Sequence, residues 1–150
     1  MSDISFRVIE DAIVELIKTV PAFRTVETWA GQMEDEIDSL PKNLPAAFVA
    51  YAGSEFELVD GPVHCERAGF TVLVAAASLR FDGSERTAAG GAYELVETVI
   101  RTLTNEDFGY PELERLRPVA VTLIRAKRGS AIYAVNFTTA FDTLFNWKEE

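Results

Sequence analysis

Apolar residues recur at helical spacing in two stretches of the chain and alternate in most of the others. Ile9, Ala12, Ile13, Leu16, Ile17 and Val20 form one stripe, and Glu10, Asp11, Glu15 and Lys18 lie away from it. This spacing predicts a helix over 6–19, ended by Pro21, because residues before a proline avoid the α region. Ala92, Leu95, Val96, Val99, Ile100 and Leu103 form the second stripe and predict a helix over 92–104. Strands are expected at 24–30, stopped by Gly31, and at 46–52. The stretch 53–62 reads as a hairpin excursion with a weak strand around Phe56 and Leu58. The longest strand is expected at 66–79. There Phe70, Val72 and Val74 face one way and Thr71, Leu73 and Ala75 the other, a pattern that predicts a central position covered on both sides.

A final hairpin is expected from strands at 119–127 and 131–141 around the turn Arg128-Gly129-Ser130. Residues 32–40 read as a short acidic helix or a loop, with Pro41 and Pro45 framing a turn. Residues 82–91 read as a flexible connection, 105–117 as a loop with one helical turn at 112–116, and 146–150 as a frayed tail. The sum is an α+β chain in one domain, 1–150, with a mainly antiparallel sheet of about five strands and two helices packed on it.

Composition narrows the function. The chain has 150 residues, 48% of them hydrophobic and 25% charged, which is ordinary for a globular protein. The longest apolar stretch, 70–77, is too short to span a bilayer, and the N-terminus lacks the pattern of a signal peptide, so no membrane partner is expected. A lone cysteine, Cys65, excludes an intrachain disulfide. The net charge of −10 disfavours binding of free nucleic acid, which needs basic surface.

The charge is unevenly spread. Residues 27–60 hold eight acids, among them Glu34, Asp35, Glu36 and Asp38, and a single base, Lys42. Residues 115–128 hold five bases (Arg115, Arg117, Arg125, Lys127 and Arg128) and no acid. Copies with an acidic and a basic pole can meet head to tail, and such contacts form rings when the rotation closes. These nine residues are candidate interface positions. Phe145 and Trp147, aromatics beyond the last strand, are two more, either as anchors for a partner or folded back over their own sheet. Phe141 continues the alternating face of Tyr133, Val135 and Phe137 and is expected in the core.

No catalytic, cofactor or metal site is expected. His64 and Cys65, the only residues of their kinds, are adjacent and point to opposite sides of an extended segment, so they form no dyad. The carboxylates at 34–38 lack the glycine turn and ligand order of a calcium loop. Gly90-Gly91 before the second helix lacks the lysine of a phosphate-binding loop.

Four segments in series carry a family resemblance. They are 9–13 (IEDAI), 45–53 (PAAFVAYAG), 91–97 (GAYELVE) and 131–142 (AIYAVNFTTAFD). In this order and spacing the chain resembles the small Mu-like phage and prophage tail proteins. The resemblance implies a structural tail-assembly protein, made in the bacterial host cytoplasm and ending in the virion tail. The size and element order are also similar to tail terminators, which form a hexameric ring that caps the tail tube. That similarity implies self-association into a ring, contact with tail tube or sheath proteins, and no cofactor. A small-molecule or peptide-binding module and a hydrolase using scattered carboxylates are the competing readings. The hydrolase requires a concave pocket holding two carboxylates.

Overall fold

The computed structural model describes residues 4–29, 44–76, 91–127 and 130–144. Its elements, in chain order, are α1 (Phe6–Ile17), β1 (Thr25–Thr28), β2 (Ala46–Asp60), β3 (Val63–Ala76), α2 (Ala92–Leu103), β4 (Arg117–Lys127) and β5 (Ser130–Leu144). The strands form one sheet in the order β1-β2-β3-β5-β4. β1 runs parallel to β2, and every other pairing is antiparallel. The fold is thus the expected α+β arrangement, a mostly antiparallel five-stranded sheet with two helices.

α1 starts at Ser5, whose hydroxyl accepts a hydrogen bond from the Val8 amide at 3.4 Å. Its stripe buries Ile9, Ile13, Val14 and Ile17. α2 buries Ala92, Leu95, Val96, Val99 and Leu103 and carries Glu94 in its first turn and Arg101 in its last, both favourable toward the helix dipole. α1 lies over β1 and β2, α2 over β3 and β5. Between helices and sheet sits the main core, in which Val49, Phe70, Val72, Val74, Val135 and Phe137 meet the helical stripes. Phe141 is buried there as its alternation predicted. A smaller cluster of Leu44, Ala46, Phe48, Ala75 and Ile132 occupies one end of the opposite face, with Trp29 and Leu73 half-buried against it.

Several elements differ from the sequence expectation. Residues 53–60 are not an excursion; β2 runs straight through them, and the chain turns only at Gly61 and Pro62. Gly53 has φ +117° and Gly61 φ +56°, so glycine supplies an irregularity that keeps β2 in the sheet and the tight turn that ends it. β2 and β5, at 15 residues each, exceed β3 at 14. β3 is central, but its outer face is covered only at one end: Arg67 is exposed and Thr71 half-buried. The helical turn expected at 112–116 is absent. There the Leu113 amide closes a turn onto the Tyr110 carbonyl at 3.1 Å; the Glu114 amide then donates to the Ala140 carbonyl at 2.9 Å and the Leu116 amide to the Glu106 carbonyl at 3.0 Å, so 114–116 lies beside β5 without helical bonding. The expectations for 32–40, 82–90, Arg128-Gly129 and 146–150 fall outside the described residues.

Core and edge substitutions should separate cleanly. Phe137→Ala, at a position 1% exposed, should cost about 3–5 kcal/mol in urea unfolding, whereas Val121→Ala, at 45%, should stay within about 0.5 kcal/mol.

Candidate assembly edges and the open sheet face

The strand order decides where the two charged regions fall. β1 and β2 stand at one side of the sheet and β4 at the other. Glu27 lies in β1, Glu55, Glu57 and Asp60 lie in β2, and all four are exposed. Arg117, Arg125 and Lys127 lie in β4 and Arg115 just before it. These described acids and bases therefore occupy opposite edges, brought there by topology. Glu34, Asp35, Glu36, Asp38, Arg128, Phe145 and Trp147 lie outside the described residues.

Both edges are apolar as well as charged. On β4, Val119, Val121, Leu123 and Ile124 are 64%, 45%, 50% and 55% exposed. Val121 and Leu123 sit opposite Val135 and Tyr133 and so share the helix-bearing face, but α2 packs on β3 and β5 and leaves them uncovered. On β2, Phe56, Leu58 and Val59 are more than half exposed. β1 pairs only with Ala46 to Val49, so among the described strands none pairs with the outer edge of β2 from Ala50 to Asp60. Alternation of apolar residues announced these strands, but it does not say which strand stands at an edge, so the exposed apolar residues escaped the sequence reading.

A hydroxyl network braces the projecting hairpin. Glu66 is 4% exposed. Its carboxylate accepts hydrogen bonds from Ser54 Oγ at 2.6 Å and Thr143 Oγ1 at 2.8 Å, and Tyr51 shares a hydrogen bond with Ser54. This ties β2, β3 and β5 together at the base of the hairpin. Tyr51 is anchored in turn by stacking on Phe6 at 4.1 Å between ring centroids, and its amide donates to Glu10 Oε2 at 3.0 Å. A buried carboxylate needs such partners, but the sequence offers no signal that Glu66 is the one enclosed.

The outer sheet face carries a shallow concavity of about 800 Å³, bordered by Gly53, Glu55, Arg67, Thr71, Arg117 and Asn136 among others. Thr71 Oγ1 donates to Asn136 Oδ1 at 2.6 Å across its floor. Arg67 reaches over β5 to grip Glu114 with both guanidinium nitrogens, at 3.2 and 3.4 Å, and Arg117 Nε lies 3.5 Å from the same carboxylate. Hydrogen bonding to Glu114 and the attraction of its charge raise the Arg67 pKa above the usual guanidinium value. Two cations thus share the Glu114 carboxylate, and the charge of Glu55 also attracts Arg67. Among the described residues Glu55 is the sole carboxylate in this lining, where a hydrolase would need two. His64 and Cys65 sit on successive positions of β3, where side chains point to opposite faces. Among the described residues no group of three His, Cys, Asp or Glu side chains could hold a metal ion, and no helix is long and apolar enough to cross a membrane.

Two substitutions probe this region. Glu66→Ala should lower unfolding stability by about 1–3 kcal/mol by leaving buried hydroxyls unpaired, and should show coupling with Thr143→Val in a double-mutant cycle. Glu114→Gln, at a site roughly half exposed, should cost less than about 1 kcal/mol.

No curated protein matches the chain. Residues 5–142 match the family model described as Bacteriophage Mu, Gp37, a stretch that takes in both helices and nearly all of the sheet, and the chain belongs to that Mu-like phage family.

Proposed function

We propose that this protein is a structural component of a phage or prophage tail, a terminator-like subunit that assembles into a ring on the tail tube. Membership of a Mu-like phage family favours a virion part over an enzyme. The observation that carries the assembly reading is the pair of opposed edges. A subunit of a head-to-tail ring needs two different, complementary surfaces, and here an acidic apolar edge and a basic apolar edge stand on opposite sides of one sheet. The partners under this reading are copies of the chain itself and the tube or sheath proteins, met in the host cytoplasm during assembly.

The test is light scattering and electron microscopy of the purified protein, alone and with tail tubes. Closed oligomers or capped tube ends are expected. Because exposed charges are screened within about 8–10 Å at physiological salt, association should weaken as sodium chloride rises from 50 to 500 mM. A protein that stays monomeric at all concentrations and never engages tubes overturns the reading.

A further inference from the structure

We infer that the ring contact is a strand-to-strand joint, in which the β4 edge of one copy adds to the outer edge of β2 in the next, beyond the part that β1 covers. This inference rests on the proposed assembly and specifies its interface. The two edges are similar in length: β4 spans Arg117–Lys127, and no described strand pairs with the outer edge of β2 from Ala50 to Asp60, where the Tyr51 amide is held by Glu10. They match in charge, with Arg117, Arg125 and Lys127 on β4 against Glu55, Glu57 and Asp60 on β2, and neither tract carries a residue of the opposite sign.

They also match in backbone regularity. β4 is irregular between Pro118 and Ala120 and between Leu123 and Arg125, so 120–123 is its regular tract. β2 is irregular between Tyr51 and Gly53 and between Leu58 and Asp60, so 53–58 is its regular tract. Such irregularities, and a proline without an N–H, blunt an edge against indiscriminate pairing. They leave a short window on each strand that can pair.

Direction and stagger follow from the sheet. β2 and β4 run oppositely within one chain, so copies in the same orientation join them antiparallel. Setting Thr122 against Glu55, the midpoints of the two edges, places Arg117 by Asp60, Val119 by Leu58 and Val121 by Phe56, and lays 120–123 against 54–57. Cross-strand pairs of these kinds are stabilising; in this register Arg117 with Asp60 is the one directly opposed ion pair, and the other charges act across the joint at longer range. Through the ladder, Val121 is level with Val49, via Val135 and Val72, so the joint is staggered by about six residues, roughly 20 Å. Across the four strands that each copy contributes between the two joints (β2, β3, β5 and β4), about 4.8 Å apart, that stagger tilts the strands by about 46°, just beyond the roughly 35–45° typical of closed sheets. A stagger of this size makes a steeply tilted sheet rather than a flat ribbon.

The experiment uses two full-length variants with exposed substitutions, checked for folding by circular dichroism. One, Val121→Lys with Leu123→Lys, spoils the β4 edge. The other, Glu55→Lys with Glu57→Lys, spoils the β2 edge. Should either pair fail to fold, Ile124→Lys and Asp60→Lys replace it. In sedimentation velocity each variant alone should lose self-association by at least about 30-fold relative to the unsubstituted protein. Mixed in equal amounts, they should form a heterodimer and go no further, because the mixture holds one intact edge of each kind. Oligomers that persist in either variant alone, or a mixture that stays monomeric, overturn the joint while the assembly reading stands. An unsubstituted protein that remains monomeric and ignores tubes overturns both.

Discussion

A hydrogen-bonded sheet that does not close on itself must end twice, and each end presents backbone groups that seek partners. In this chain the two ends differ. Among the described strands, the parallel β1 covers only the first four residues of β2, and 55–60 at its far end carry exposed acids and apolar side chains. At the far side β4 caps β5 but is capped by no described strand in turn. The helices relieve these ends only in part: Glu10 of α1 takes the Tyr51 amide of β2, while α2 packs over β3 and β5 and leaves β4 uncovered. The layout of charge, the exposed apolar strand and the long hairpin all follow from a helical layer narrower than the sheet it covers.

The hairpin is the second consequence. Extending β2 and β3 past the helices exposes their far end to water, and a projecting two-stranded ribbon is marginal on its own. β5 continues alongside β3 to its last residues, and the enclosed Glu66 with Ser54 and Thr143 pins all three strands where the helical cover stops. On the outer face, Arg67 and Glu114 clamp the loop before β4 to the same strands. These polar ties do for the uncovered half what apolar burial does for the covered half.

Much of the fold was legible in the chain because periodicity reports burial. Ile9, Ile13 and Ile17 declared α1, Leu95, Val99 and Leu103 declared α2, and the alternation from Phe70 to Val74 declared the centre of the sheet. The acidic and basic tracts were legible too, as composition. Their placement at opposite edges was not, because strand order depends on which strands pair across long sequence distances. The run 53–60 suggested an excursion because a glycine, a serine and three acids interrupt its apolar residues. It stays extended by pairing with β3 rather than by burying side chains. Glu66 and Glu114 look like any other surface acid until the partners that enclose or clamp them are in place.

The central claim is that the open edges of the sheet are what this protein uses. Amide hydrogen exchange, compared between monomer and assembled protein, reads those edges residue by residue. The account predicts new protection in both 50–60 and 117–127 on assembly, with β3 and β5 protected in either state because their amides already pair within the sheet. Assembly that leaves exchange in both edge segments unchanged would contradict it.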